Sequence, residues 1–235
     1  MKNYLLLLSL LLSASWSSTL LAAVILQYHH VSEHTPSSTS ISPQQFAKHL
    51  QYLAGNNFTV VSLSTLISQS QQQQDLNDKI VAITFDDAYQ DIMSEAKPLL
   101  DKFGYPYTIF VNPDIINKQG QAYLSWRQLN QLASEGVIIA NHGWSHTSIA
   151  RKPAEQTEAA WLAEYGQLLL KAEQKIAEHT GKSWRYFAYP YGEYTKKAQQ
   201  WITKHNFTAF TQQSGAVGEH TDLSAIPRFP ASQPY

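Results

Sequence analysis

Six consecutive residues, Ile80-Val81-Ala82-Ile83-Thr84-Phe85, carry no charge and no alternation of polar with apolar positions. A run of this kind, rich in β-branched and aromatic side chains, reads as a strand buried on both faces. Burial on both faces is the condition of strands in a parallel sheet covered by helices. The run ends on two adjacent carboxylates, Asp86 and Asp87. Like charges this close raise each other's proton affinity unless a cation or a donor holds them. A positive partner is therefore expected at this strand end.

The same punctuation recurs along the chain. Apolar runs at residues 24–28, 107–111, 137–140, 184–189, 207–211 and, less markedly, 225–229 read as further strands. Helical patterns lie between most of them. Ser42-Pro43 opens one that Gly55 closes, another spans residues 90–103 before Gly104, and a third covers residues 125–135 before Gly136. The longest follows Pro153 and stops at Gly181, and the last lies near residues 194–205. The glutamine-rich stretch at residues 68–75 reads as a solvated loop. Alternating strands and helices mean parallel β/α units. The predicted fold is α/β, a distorted (β/α)7-type barrel forming a single domain over residues 24–235. In such barrels functional groups gather at the C-terminal ends of the strands. His29, Asp86, Asp87, His142 and the turn Tyr189-Pro190-Tyr191-Gly192 all fall at such ends.

The composition removes several classes of function. With 17 basic and 18 acidic residues, there is no electrostatic reason to expect nucleic acid or an anionic membrane as partner. The absence of cysteine excludes disulfides, thiolate metal sites and a cysteine nucleophile. Residues 1–23 begin with Met1-Lys2-Asn3, continue with an apolar stretch and pass through small residues to Leu21-Ala22-Ala23. That is the pattern of a secretory signal peptide, too short in its apolar part for a membrane span. Export to a bacterial periplasm, the cell surface or the medium is expected.

Three groups of residues carry candidate chemistry. Asp87 could cap the helical pattern near Gln90, but a cap accounts for only one of the two aspartates. His142-Gly143-Trp144-Ser145-His146 puts two imidazoles four residues apart, and on a helical turn both would reach one ion. Two neutral histidines and a carboxylate make an open site suited to zinc, iron, cobalt or nickel. No glutamate follows His142, which argues against the zinc-peptidase helix signature. Tyr28-His29-His30 ends the first strand. His29 is suited to proton transfer near neutral pH, whereas His30 reads as an ordinary polar strand-end residue.

These residues resemble the motifs of the polysaccharide deacetylases, carbohydrate esterase family 4 with its NodB-homology domain. Thr84-Phe85-Asp86-Asp87 is similar to the family's first motif and His142 to His146 to its His-x-x-x-His motif. Phe187-Ala188-Tyr189-Pro190-Tyr191-Gly192 is similar to its third motif. The usual third-motif arginine aligns with Ala188, and the C-terminal Leu-x-His motif is missing. Both departures, with Leu26-Gln27-Tyr28-His29, resemble the permuted subgroup acting on poly-β-1,6-N-acetylglucosamine.

The resemblance implies a metal-dependent hydrolase that removes N-acetyl groups from a biofilm exopolysaccharide, beside export or synthesis machinery. Asp87, His142 and His146 would hold a divalent metal, zinc first and nickel, cobalt or iron as alternatives. Asp86 would be the general base, His29 the acid, and a backbone N–H near Tyr191 an oxyanion donor. Tyr189, Pro190, Tyr191, Trp144 and Trp126 are candidates to line the sugar groove, with core packing an equal reading for Trp126, which begins a helical pattern, and Arg127 or Arg185 are candidates to replace the missing arginine. Deacetylation of chitin oligomers or peptidoglycan, O-acetyl xylan esterase activity, or an inactive carbohydrate-binding relative are the competing readings. No oligomeric state follows from the sequence.

Overall fold

The computed structural model describes residues 22–72, 79–116, 118 and 122–232. Residues 1–21 of the leader pattern and residues 73–75 of the glutamine-rich stretch thus lie outside the described residues. No helix among the described residues is long and apolar enough to cross a membrane.

The chain enters as β1 (Val24–Tyr28), passes through the short pair β2 (His30–Val31) and β3 (Ser40–Ile41), and forms α1 (Pro43–Gly55). β4 (Thr59–Val60) and α2 (Leu63–Gln71) precede β5 (Ile80–Phe85). A π-helical turn (Ile92–Ala96) runs directly into α3 (Lys97–Phe103), followed by β6 (Tyr107–Val111), α4 (Trp126–Ser134) and β7 (Ile138–Asn141). Then come α5 (Glu158–Thr180), β8 (Tyr186–Ala188), a 3₁₀ turn (Pro190–Gly192), α6 (Lys196–Lys204), β9 (Thr208–Phe210) and β10 (Phe229–Pro230).

The main sheet has the order β10-β1-β5-β6-β7-β8-β9, with β4 added beside the start of β5. Its ladders are parallel. Ile226 bridges Phe210 of β9, and three residues later Phe229 pairs with Leu26 of β1. This last segment touches both edges of the curled sheet, and the architecture is the expected distorted barrel. Closure satisfies backbone groups that open edges would leave unpaired.

All six residues of β5 are buried because both of its faces are covered. Val81, Ile83 and Phe85 pack with residues of α1, α3 and α4, including Phe46, Leu50, Leu100 and Leu129. Ile80 and Ala82 pack with Ile25, Phe110, Ala140, Ala188 and Phe210 from other strands, and with Leu63, Leu66 and Ile67 of α2. Helix starts follow local chemistry. Ser42, Ser62, Ser125, Thr157 and Thr195 each accept a hydrogen bond from the backbone N–H three residues on. Gly104 and Gly181 end α3 and α5 in the left-handed conformation that glycine adopts without a Cβ penalty.

Six of the seven expected strands are present; the one expected at residues 225–229 is reduced to a bridge at Ile226 and the two-residue β10, while β2, β3, β4 and α2 are additional to the expectation. The start of the expected solvated loop belongs instead to α2. Leu63, Leu66 and Ile67 recur at helical spacing, and Ser70 is buried, its hydroxyl donating to the Gly218 carbonyl.

Gly166 of α5 lies against the Trp201 ring of α6. A Cβ there would lie 2.5 Å from two ring atoms of Trp201. Gly166→Ala should therefore destabilise the protein by roughly 1–3 kcal/mol through overpacking, although alanine is the better helix former. A lower midpoint in urea unfolding checks this; a midpoint at or above the wild-type value would mean that Trp201 yields freely.

Candidate active site

β5 ends on a turn in which Asp87 and Ala88 both have left-handed backbones (φ 71° and 58°). Asp86 continues the ladder, donating its N–H to the Tyr28 carbonyl at 2.9 Å. Asp87 caps no helix, since helical structure resumes only beyond Asp91. The reversal of backbone sign between Asp86 and Asp87 sends the two carboxylates to different partners.

Asp86 points into the barrel and is fully buried. Its partner is Arg228, also fully buried, in a bidentate pair with Nη1–Oδ1 and Nη2–Oδ2 both at 2.8 Å. The guanidinium also donates to the Thr211 carbonyl and to the Thr84 hydroxyl. Gln27 Nε2 donates to Asp86 Oδ2 at 2.7 Å. Burial pushes the Asp86 carboxyl upward, but the charge of Arg228, then His142, the Arg228 hydrogen bonds and His29, outweigh it. The carboxyl is held well below the usual carboxylate range and stays ionised. Arg127 and Arg185, the expected substitutes for the missing arginine, are both exposed on the outside of the barrel, and Arg185 lies over Phe207. The arginine comes from the closing segment instead.

Asp87 faces the two histidines. Its Oδ1 lies 3.5 Å from His142 Nε2 and 3.4 Å from His146 Nε2. Two donors each about 2.0–2.1 Å from one tetrahedral ion stand about 3.3 Å apart, so both spacings suit a shared cation. His142 Nδ1 donates to the Ala188 carbonyl at 2.8 Å, which fixes the proton there. Its Nε2 is left buried and without a partner, a lone pair aimed at the Asp87 carboxylate. These three residues form the one group among the described residues with the spacing of a metal site.

The segment carrying the histidines is not helical, contrary to expectation. Gly143 (φ 82°) and His146 (φ 58°) are left-handed, and loop geometry brings the rings together. Asn112, at the end of β6, donates to the carbonyls of His142 (2.5 Å) and Gly143 (3.3 Å). Asn141 accepts from the Gly143 N–H at 2.9 Å. A Cβ at Gly143 would meet the Tyr165 hydroxyl at 3.1 Å and Pro190 at 3.6 Å, so glycine serves both the turn and the packing.

A cleft of about 540 Å³ opens over this centre, lined among others by His29, Asp87, His146 and Tyr191. His29 Nε2 is 3.9 Å from Asp86 Oδ2. Burial pulls the His29 pKa down, and the charges of Asp86 and Asp87 partly restore it. Burial and the neighbouring His142 likewise lower His146. Tyr191 is half-exposed, with its ring edge-on to His146 at 4.5 Å and under the Arg151 guanidinium at 5.0 Å. The remaining expected groove residues lie elsewhere. Tyr189 is fully buried, its hydroxyl donating to the Ser224 carbonyl, and Pro190 is buried beneath the turn. Trp144 pairs with Lys171, and Trp126 stacks on His179 within the core. The cleft lining also includes Gln27, His30, Tyr89, Arg151 and Glu193, to none of which sequence reasoning assigns a role.

A family model described as polysaccharide deacetylase matches residues 73–210, more than half of the chain. The poly-beta-1,6-N-acetyl-D-glucosamine N-deacetylase of Staphylococcus epidermidis is 25% identical over 229 residues, covering 88% of this chain and 78% of that protein. The structure of IcaB from Ammonifex degensii superposes with a TM-score of 0.79 and 25% identity, over 90% of this chain and 92% of that one. The Streptococcus pyogenes deacetylase PplD, in complex with acetate, superposes with a TM-score of 0.80 over 91% of this chain and 94% of that one. Its 19% identity makes that a likeness of fold.

Removing one partner of a buried pair leaves the other charge uncompensated. Arg228→Met should cost about 3–5 kcal/mol, measured by urea unfolding at pH 7; a cost below about 1 kcal/mol, the range of an exposed pair, would contradict the burial of Asp86. The pH dependence has a definite sign. The folded Asp86 value lies below the unfolded one, so its stabilising contribution is complete above about pH 3.9 and is lost on further acidification. The wild-type urea midpoint should fall as the pH drops through that window.

Proposed function

This chain belongs to the polysaccharide deacetylase family, and within it we propose that the protein is an N-deacetylase of poly-β-1,6-N-acetylglucosamine, an exopolysaccharide of biofilms. The observation that carries the reading is the division of the aspartate pair: Asp87 with His142 and His146 on one side, Asp86 with Arg228 on the other. The likeness to the S. epidermidis enzyme and the Tyr28-His29 strand end support the choice of polymer. A near-neutral chain accords with a neutral polysaccharide.

Asp87 Oδ1, His142 Nε2 and His146 Nε2 would hold a divalent cation, zinc being the first choice for two imidazoles and a carboxylate. Bound there, the cation supplies Lewis acidity, polarising the acyl carbonyl and lowering the pKa of water toward neutrality. Asp86 is the proton acceptor. Its four lone-pair sites are unequally claimed: Oδ2 accepts from Arg228 and Gln27, whereas Oδ1 accepts from Arg228 alone. The open position on Oδ1 is where Asp86 takes the proton from the attacking water. His29 Nε2, 3.9 Å from Asp86 Oδ2, delivers a proton to the departing amine. An amine leaves poorly unless protonated, so hydrolysis of an amide depends on this donor more than hydrolysis of an ester does. Tyr191 walls the cleft beside His146, and its backbone N–H is the proposed second donor to the oxyanion. The leader pattern at residues 1–23 supports action outside the cytoplasm, where such a polymer accumulates.

Acetate release from poly-β-1,6-N-acetylglucosamine tests this reading. Chelation should abolish activity and added zinc should restore it. Asp86→Asn should remove activity while metal content, measured by atomic emission, is retained. Near wild-type turnover in that variant would remove Asp86 as the base. For His29→Ala we expect a loss on the order of 10²–10⁴-fold on the N-acetyl polymer and a much smaller one on an activated acetate ester. Equal losses on both substrates would argue against an acid role.

A further inference from the structure

His30 has no part in the reaction described above, yet the structure controls its position closely. It lines the cleft, and its side chain is 13% exposed. Nδ1 lies 2.6 Å from Asp91 Oδ2. A carboxylate only accepts, so Nδ1 carries a proton. The other Asp91 oxygen accepts the backbone N–H of Val31 at 3.1 Å, which anchors the clamp to β2. The imidazole face is stacked on Tyr89 with ring centroids 3.6 Å apart and planes 22° apart. Tyr89 rests in turn against Tyr123, at 5.0 Å. Asp91 stands immediately before the π-helical turn, a backbone form that is rare and concentrates at functional sites. The ring is thus fixed in orientation and tautomer, while Nε2 makes no hydrogen bond among the described residues.

We propose that His30 is a specificity-determining residue of the cleft, whose Nε2 hydrogen-bonds a hydroxyl of the sugar unit flanking the one that is deacetylated. This rests on the deacetylase reading. The flanking position follows from the cleft itself, whose lining holds Asp87 of the metal group together with Tyr89 and the His30 ring stacked on it. A hydroxyl both donates and accepts, so it pairs with Nε2 in either protonation state of the ring. A side chain already held in one rotamer gives up little entropy on binding, which makes the contact worth more than the same imidazole on a free surface.

The competing role, a strut joining β2 to the π-helical turn, uses the other ring nitrogen, and that difference makes the two separable. His30→Asn places an amide N–H where Nδ1–H stands and leaves nothing at Nε2. His30→Gln places an amide at Nε2 and gives up the bond to Asp91. The test measures kcat and KM for acetate release from a β-1,6-linked N-acetylglucosamine pentamer, with thermal melting alongside. His30→Asn should raise KM roughly 3–10-fold, the range of one neutral hydrogen bond, with a smaller change in kcat and a melting temperature near that of wild type. His30→Gln should recover much of the KM while melting lower. An unmoved KM in His30→Asn, or a fall in kcat without a rise in KM, overturns the proposal. If the wild type releases no acetate from the pentamer, the deacetylase reading fails separately. Pentamer affinity, measured by calorimetry in Asp86→Asn with and without His30→Asn, then decides for His30, and equal heats in the two proteins count against it.

Discussion

The pairing of Asp86 with Arg228 ties the architecture to the chemistry. Arg228 sits in the segment that joins the two edges of the curled sheet, and its guanidinium reaches β5 through Asp86 and Thr84 and the end of β9 through the Thr211 carbonyl. Taking two charges out of water is expensive, and their attraction offsets the cost only where the geometry is good and the remaining polar sites are filled. Here Gln27 supplies a further donor to the carboxylate. An apolar replacement of similar volume could close a barrel as well. What the ion pair adds is a carboxylate held ionised and in one orientation beside Asp87, which lines the cleft.

The second aspartate needs a different environment, only one residue away. Two carboxylates sharing one cation site would titrate as a pair and neither would have a defined role. The left-handed backbones at Asp87 and Ala88 separate them. Such conformations cost on the order of 1–3 kcal/mol each where they are strained. Of the seven non-glycine residues with positive φ among the described residues, Asp87, His146 and Tyr191 line this one cleft and Ala88 adjoins Asp87. Strain concentrated there marks the place where the chain gives up local preference to set side-chain direction.

The strand framework was legible because the buried runs are short, apolar and rich in β-branched and aromatic side chains, whereas the segments between them carry apolar residues at helical spacing and several end on glycine. The grouping of Asp86, Asp87, His142 and His146 was legible because strand ends in a β/α barrel converge. Arg228 was not, because it lies 142 residues from Asp86 in sequence and belongs to no motif. Its one signal was a lone charge in the apolar run Ile226-Pro227-Arg228-Phe229-Pro230. Trp126 is a groove candidate by residue type and Tyr189 by its place in the third motif, but an aromatic ring suits a core as well as a sugar. Only the packing against His179 and the hydrogen bond to the Ser224 carbonyl distinguish the two uses. α2 escaped notice because its apolar face is short and runs into glutamines.

The His-x-x-x-His spacing is instructive because the inference to a shared ion did not require the helix first invoked for it. The two rings converge through contacts made outside the pentapeptide. Asn112 holds the His142 and Gly143 carbonyls from the end of β6, and the Ala188 carbonyl at the end of β8 sets the His142 tautomer. Asn141 fixes the Gly143 N–H while its own amide donates to the Leu169 carbonyl and Glu173 on α5. Three packed elements therefore define where His142 Nε2 points, and a loop suffices where a helix would otherwise be needed. Ligand geometry enforced from several elements resists local fraying in a way that one isolated turn would not. The sequence spacing records only that the two rings are near enough to be so arranged.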